Sequence, residues 1–140
     1  MVLSQLDNPV RVTWDLNGDQ YRMAESVVDA VLQRLVEAQP FFVALEQSPL
    51  LHPACGNILG SLSERGVQLT LFCTGREDEL DNISVVNGYD PTILLRLEPF
   101  LSEKPDLKRL EHVVGRLRDA GHNPGFCLTP LKSNIRFLPE

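Results

Sequence analysis

The chain has 140 residues, the size of one ordinary domain with a single hydrophobic core. Hydrophobic residues make up 43% and charged residues 23%, which is close to the average for globular proteins and excludes an intrinsically disordered chain. The net charge of -6 disfavours nucleic acid as a partner. No apolar run approaches the ~20 residues that cross a bilayer, and residues 1–8 lack the features of a signal peptide, so we expect a cytoplasmic protein.

The first half of the chain alternates between strand and helix patterns. Residues 10–16 alternate apolar and polar side chains and predict a strand, which the turn Asn17-Gly18-Asp19 ends. Residues 22–39 carry apolar side chains at helical spacing, and Pro40 ends that helix. The apolar run 41–45 predicts a strand buried on both faces. A second helix over 53–65 and a strand over 67–73 follow.

The second half continues the alternation less regularly. Residues 83–86 predict a fourth strand that Asn87-Gly88 ends, whereas residues 91–101 predict a short helix or an irregular segment. Asp106 predicts the N-cap of a helix that reaches residue 120, and residues 125–129 predict a fifth strand. Residues 133–140 predict the start of another helix. The acidic run 77–81 is interpreted as a solvated turn, and the basic residues over 104–118 as a solvated helix face.

The order of these elements predicts the fold class. Strands that alternate with helices of ten or more residues favour a mainly parallel sheet with right-handed crossovers. About five strands are too few to close a (β/α)8 barrel. We therefore expect an α/β fold: a partial (β/α) barrel or an open, mainly parallel sheet of about five strands in βα repeats. We expect one domain over residues 1–140, with the alternative that it forms the N-terminal part of a longer protein, and two sheet edges that need a cover.

Cysteines and histidines do not form a recognisable metal site. The three cysteines are Cys55, Cys73 and Cys127. They form no CxxC pair and lie in apolar segments, so we interpret them as packing residues. The three histidines are His52, His112 and His122. They lack metal-ligand spacing, and we expect His52 at a helix start and the other two in solvent. Walker A, GxGxxG and GxSxG motifs are absent as well, so the sequence predicts no metal, no cofactor and no catalytic residue.

A series of short segments resembles one enzyme family. These segments are residues 12–16 (Val-Thr-Trp-Asp-Leu), 49–53 (Pro-Leu-Leu-His-Pro), 62–67 through 74–75, 80–85, the predicted helix from 106 to 120, 128–129, 134–135 and 138–140. In this order they resemble the strands and helices of the radical S-adenosylmethionine (SAM) enzymes, especially those that modify peptides and carry a cluster-binding SPASM domain. The segment 49–53 resembles the stretch that follows the family's GGE motif. The likeness covers nearly the whole chain and implies the same βα scaffold.

The chain departs from this family at the residues that carry its chemistry. The family has a CxxxCxxC motif after its first strand, where three thiolates hold a [4Fe-4S] cluster. Here the corresponding residues 17–24 contain no cysteine. The GGE motif, which contacts SAM, falls on Glu46-Gln47-Ser48, so both glycines are replaced. The resemblance therefore implies a catalytically inactive module that binds neither cluster nor SAM.

Candidate binding residues lie where the predicted strands end, because ligands of α/β proteins bind at the carboxyl ends of the strands. They are Asp15, Asn17, Glu46, Gln47, Ser48, Thr74, Asn87, Tyr89, Thr129 and Lys132. The leading hypothesis is an accessory module that holds a precursor peptide by edge-strand pairing or docks against a radical-SAM enzyme. One alternative is a small-molecule-binding domain or enzyme that uses Asp15 and Glu46 as an acid–base pair. Another is a structural domain that self-associates through exposed sheet edges. No nucleic acid or membrane is expected as a partner.

Overall fold

The chain forms a five-stranded, all-parallel sheet whose strands alternate with helices, which confirms the expected α/β class. The computed structural model describes residues 10–18, 22–132 and 134–137. The strands are β1 (Arg11–Asp15), β2 (Phe42–Glu46), β3 (Gln68–Cys73), β4 (Thr92–Arg96) and β5 (Gly125–Cys127). The α-helices are α1 (Glu25–Ala38), α2 (Cys55–Ser63), α3 (Glu77–Asp81) and α4 (Leu107–Asp119). Short 3-10 helices span Pro49–Leu51, Ile83–Val86 and Ile135–Phe137.

The strands are arranged in sequence order, β1-β2-β3-β4-β5. Every crossover therefore runs in the same direction along the sheet, and because such crossovers are right-handed, the helices that connect the strands lie on one face. We call this the helix-covered face and the other the open face. The sheet is an open one, with β1 and β5 at its edges. None of the helices in the described part of the chain has the length and apolar character of a membrane span.

The core lies between the helix-covered face and the helices. One row across the sheet consists of Trp14, Leu45, Leu71 and Ile93, which are register neighbours on β1 to β4. All four side chains are buried. Side chains of α1, α2 and α4 pack onto this layer, with Val28, Ile58 and Leu117 each fully buried. Burial of this apolar surface is the main force that holds the sheet and helices together.

The open face carries the alternate side chains of each strand. On β1 to β4 these are Arg11, Thr13, Asp15, Phe42, Ala44, Glu46, Gln68, Thr70, Phe72, Thr92, Leu94 and Arg96. The β1 side and the amino-terminal end of this face are exposed, as at Thr13, Phe42 and Thr92. The prediction that the second strand is buried on both faces is confirmed for Val43, Ala44 and Leu45, whereas Phe42 at its amino end is 49% exposed on the open face.

The fourth strand does not lie where the sequence predicted it. Ile83–Val86 forms a 3-10 helix, and β4 is formed by Thr92–Arg96, within the segment expected to be helical or irregular. The β-branched residues at 83–86 favour a strand, but Val86 is fully buried in the core and Val85 packs next to Gly56 of α2. In β4, Ile93 and Leu95 are buried on one face, which is the two-residue period of a strand.

The other predicted elements agree with the structure in position and type, with shorter ends. The N-cap role of Asp106 is confirmed, since its carboxylate accepts a hydrogen bond from the Arg109 N–H at 3.1 Å. The final predicted helix is only the 3-10 turn Ile135–Phe137 in the described residues. Asp19 of the first predicted turn, Ser133 and residues 138–140 lie outside the described residues.

The sequence predicted that the charged residues at 77–81 and 104–118 are solvated and make no specific contacts. In the structure, several of them pair with one another. Residues 77–81 form α3, and two of its acidic side chains, Glu77 and Asp81, contact α4. Arg116 of α4 binds Glu77 at 3.0 Å and Asp81 at 3.1 Å, and His112 lies 3.1 Å from Glu77. These ion pairs are largely exposed, so they align α3 with α4 more than they stabilise the fold.

Candidate functional site

The ends of β1 and β2 bring two predicted carboxylates side by side. Asp15 and Glu46 are register partners at the carboxyl ends of these strands, and both belong to the open face. Asp15 is exposed, whereas Glu46 is three-quarters buried and lies 3.3 Å from the Arg96 guanidinium. The two carboxylates are therefore not equivalent: one faces solvent and the other is held in an ion pair.

Arg96 is the centre of a charged cluster that sequence reasoning missed. Its guanidinium lies 3.3 Å from Glu46 and 3.9 Å from Glu98, and it stacks 4.7 Å from the centroid of the Phe72 ring. The three charged side chains are only 24–27% exposed. Arg96 stands at the end of an alternating segment. That position would have marked it as a candidate site residue if 92–96 had been predicted as a strand.

Glu98 is anchored by the chain that follows β5. Its carboxylate accepts a hydrogen bond of 2.8 Å from the Thr129 N–H. Burial acts to raise the pKa of Glu98, but the Thr129 hydrogen bond and the charge of Arg96 outweigh it, and the pKa lies below its ordinary value. Glu98 is thus held as an anion, and its carboxylate is used for contacts with Arg96 and Thr129 within the protein.

The turn after β2 is strained and is tied to the end of β1. Gln47 and Ser48 have φ angles of 59° and 54°, in the left-handed region that glycine favours. This conformation costs roughly 1–2 kcal/mol for each non-glycine residue. The Asn17 side-chain amide donates hydrogen bonds of 2.9 Å to the carbonyl oxygens of both residues. Three of the predicted binding residues are therefore close together, and Asn17 stabilises the strained turn.

Thr74 lies in a loop that encloses a buried carboxylate. The backbone N–H groups of Thr74, Gly75 and Arg76 donate to one oxygen of Glu79, at 2.9, 2.9 and 3.2 Å, and the Thr74 hydroxyl donates at 3.0 Å. Glu79 is fully buried. Successive N–H groups of this kind make an anion-binding concavity, which the chain fills with its own carboxylate. An acidic residue three positions after the helix N-cap is the capping-box signal that predicts this contact.

Two predicted residues do not belong to this region. Asn87 and Tyr89 precede β4, so they lie near the amino ends of the strands, opposite to the carboxyl ends where the other candidates lie. Tyr89 packs against α2, where a Cβ built on Gly60 would lie 3.3 Å from its hydroxyl oxygen. Their placement at the strand carboxyl ends was wrong because it depended on a strand at 83–86. Thr129 and the exposed Lys132 do follow β5, as expected.

His52 is buried, although its position at the start of α2 agrees with the prediction. Its Nδ1 accepts a hydrogen bond from the Ala54 N–H at 3.1 Å, and its Nε2 donates to the Met23 carbonyl oxygen at 2.8 Å. Because Nδ1 accepts, Nε2 is the nitrogen that donates. His52 thus links the chain before α1 to the start of α2, and both of its nitrogens are used.

The cysteines do not provide the ligands that an iron–sulfur cluster requires. Cys55, Cys73 and Cys127 lie on α2, β3 and β5, and no cysteine follows β1. Burial raises the pKa of Cys55 to about 12, and burial followed by the charges of Glu79 and Cys55 raises that of Cys73. Cluster ligation needs thiolates, which these environments disfavour. Within the described ranges, moreover, no group of three or more His, Cys, Asp or Glu side chains converges on a metal position.

The buried thiol of Cys55 predicts a loss of stability at high pH. In the unfolded chain the thiol ionises near 9.0, whereas in the folded chain it keeps its proton up to about 12. Between these values the folded state binds the extra proton, so stability is complete below pH 9 and falls by about 1.4 kcal/mol per pH unit above it. Urea unfolding from pH 8 to 11 should show a smaller slope for Cys55→Ala than for the wild type. Equal slopes for Cys55→Ala and for the control Cys127→Ala would contradict the assignment.

Comparisons of the chain with protein-family models, with curated proteins and with solved structures give no match. The resemblance to radical-SAM enzymes therefore depends on the short segments and on the alternating βα plan.

Proposed function

We propose that the chain is a catalytically inactive relative of the radical-SAM peptide-modifying enzymes and binds a peptide on the open face of its sheet. The observation that carries the proposal is the exposure of the β1 side and the amino-terminal end of this face, although Ala44 and Phe72 nearer its centre are buried. The exposed side chains there are polar except for one large apolar residue among the described strands, Phe42. The three free cysteines suit a reducing compartment, so we place this activity in the cytoplasm.

The open face offers groups that suit an extended peptide. Thr13, Thr70 and Thr92 lie in one register row across the sheet, separated only by Ala44. Hydroxyl groups both donate and accept hydrogen bonds, and so they match the alternating N–H and C=O groups of a peptide backbone. Phe42, 49% exposed at the amino end of β2, offers an apolar contact beside this row.

The contacts made by the side chains at the strand ends support the inactive character. Glu46 and Glu98 bind Arg96, Asn17 binds the turn at Gln47 and Ser48, and the Thr74 loop binds Glu79. A general acid or base needs a carboxylate that can exchange a proton with substrate. Glu46, Glu98 and Glu79 are all engaged in such contacts, whereas no contact of this kind is described for Asp15. The arrangement supports binding better than proton transfer.

Charge indicates what kind of peptide fits. The chain carries a net charge of -6, and Asp15 is the exposed charge at the carboxyl end of the open face. The summed field attracts a positively charged ligand and repels a negatively charged one. We therefore expect a peptide rich in lysine and arginine to bind more tightly than an acidic peptide of the same length.

Fluorescence anisotropy with two labelled peptides tests the proposal. A basic peptide should bind saturably, and an acidic peptide of equal length should not. Thr92→Lys puts a positive charge on the open face and should raise the Kd for the basic peptide about tenfold. Ser84→Lys, at an exposed position on the helix side, is the matched control and should leave the Kd unchanged. Failure of the basic peptide to bind, or equal effects of the two variants, would refute the proposal.

A further inference from the structure

The outer edge of β1 has backbone groups that pair with no strand among the described residues, and these groups follow a defined pattern. The Phe42 N–H donates to the Val10 carbonyl at 3.0 Å, so the even-numbered residues of β1 bond to β2. In a parallel ladder the alternate residues then direct their N–H and C=O groups away from the partner strand. These residues are Arg11, Thr13 and Asp15, and no described strand pairs with them. An edge of this kind is a template for another strand.

Helix α1 has an apolar flank on the same side of the molecule. Its opposite flank faces α2, since Val36 and Leu62 line one cavity of about 570 Å³ between the two helices. Because successive residues of an α-helix are rotated by about 100° around its axis, other residues of α1 lie on the flank that faces away from α2. These line a shallow groove along the helix and are Ser26, Val27, Ala30, Val31, Arg34, Leu35 and Ala38. Val27 is 47% exposed, so this flank has no partner in the described residues.

We infer that the β1 edge and this flank of α1 together form an interface with a second copy of the chain. The copy pairs β1 with β1 in antiparallel orientation about a two-fold axis at Thr13. In this register Arg11 lies opposite Asp15 of the partner subunit, and Asp15 lies opposite Arg11 of the partner subunit. Opposite charges in directly facing positions stabilise a strand pair, and the edge is therefore complementary to itself.

The hydrogen-bonding pattern fits the same register. Antiparallel strands exchange both hydrogen bonds at every second residue pair. The pairs 11–15, 13–13 and 15–11 are separated by two residues each, and Arg11, Thr13 and Asp15 are the residues whose backbone groups point outward. All outward N–H and C=O groups of β1 are then satisfied by one partner strand.

The spacing of the helices also fits. Neighbouring strands lie about 4.8 Å apart, and a helix that connects two adjacent parallel strands packs over the gap between them, as we infer for α1 with β1 and β2. Two-fold pairing of the β1 strands therefore places the two α1 helices about 10 Å apart, the distance at which helices pack. Ala30 and Ala38 keep the flank narrow enough for this approach, and Val27 and Val31 provide apolar contact.

The dimer is independent of the peptide proposal, because it uses the edge of the sheet and leaves the row of threonines on the open face accessible. It would join two open faces into one continuous surface. Peptide binding without a dimer, or a dimer that binds no peptide, would separate the two ideas.

Charge exchange on β1 is the first test. Light scattering of the full chain should give twice the 15.7 kDa mass of one chain. Arg11→Asp or Asp15→Arg alone places like charges opposite each other twice and should raise the dimer Kd at least about tenfold. The double variant Arg11→Asp/Asp15→Arg restores both opposite pairs and should restore the wild-type Kd. A monomer at the highest soluble concentration would overturn the inference, as would a dimer that the single variants leave intact.

Crosslinking and a helix variant provide the second test. In a Cys127→Ser background, Thr13→Cys should form an intersubunit disulfide, since the paired Cα atoms lie about 5.5 Å apart. Thr92→Cys, exposed but away from the edge, is the control and should not. Ala30→Glu in the α1 groove should weaken the dimer, whereas Gln33→Glu, outside the groove, should not. Absence of the Thr13→Cys crosslink, or equal effects of the two α1 variants, would place the contact elsewhere and overturn the inference.

Discussion

Replacing Glu79 by alanine is expected to lower the free energy of unfolding by about 4 kcal/mol. The Glu79 side chain is fully buried, and one of its oxygens accepts hydrogen bonds from the N–H groups of Thr74, Gly75 and Arg76 and from the Thr74 hydroxyl. Alanine leaves these donors without their acceptor and adds a cavity. Urea unfolding at pH 7 measures the change.

Two comparisons separate the hydrogen bonds of Glu79 from other effects. Glu79→Gln keeps an acceptor oxygen and nearly the same volume, so it should cost about half as much as the alanine variant. Glu111→Ala removes an exposed glutamate of α4 and should change stability by no more than about 0.5 kcal/mol. A loss below about 1 kcal/mol for Glu79→Ala would mean that the loop at 74–76 does not depend on this carboxylate.

Replacing Gly75 by alanine is expected to lower the free energy of unfolding by about 3 kcal/mol. Gly75 has a φ of 81°, which L-residues adopt only with strain. A Cβ at this position would also lie 2.7 Å from the Phe100 ring and 3.1 Å from Val113, and both of these side chains are fully buried. The strain and the overlap add, because the core around Phe100 cannot move away without losing its own contacts.

Gly121 offers a matched control for Gly75. It ends the turn after α4 with a φ of 89°, but a Cβ there would meet no atom within 4 Å. Gly121→Ala should therefore show only the conformational cost of about 1 kcal/mol, measured by the same urea unfolding experiment. Equal losses for the two variants would show that the contact with Phe100 and Val113 is relieved by a small local shift.

The prediction of the fold succeeded where the sequence pattern was local and regular. The 3.6-residue period of α1 and α4 and the turn glycines are read within a short window, and the Asp106 cap is a contact between neighbours in sequence. The alternation of strand and helix then restricts the topology to a parallel sheet with right-handed crossovers. The same reasoning failed at 83–86, where residues typical of a strand pack as a 3-10 helix against α2.

That one error changed the predicted site. With a strand at 83–86, Asn87 and Tyr89 follow a strand end, and Arg96 falls in an irregular segment. With β4 at Thr92–Arg96, Asn87 and Tyr89 lie at the amino ends of the strands instead of the carboxyl ends, and Arg96 lies beside Glu46. A binding site at strand ends is therefore only as well predicted as the strand assignment beneath it.

By itself, the sequence of this protein determined the α/β class, most of its helices and strands, and the absence of cysteines from the loop after the first strand. These features depend on residue type and short-range spacing, which the chain shows directly. Only the tertiary structure decided that Arg96 pairs with Glu46, that Glu79 fills the loop at 74–76, and that β1 lies at an edge of the sheet. Such contacts join residues through the register of strands and the burial of polar groups, and these depend on how the whole chain packs.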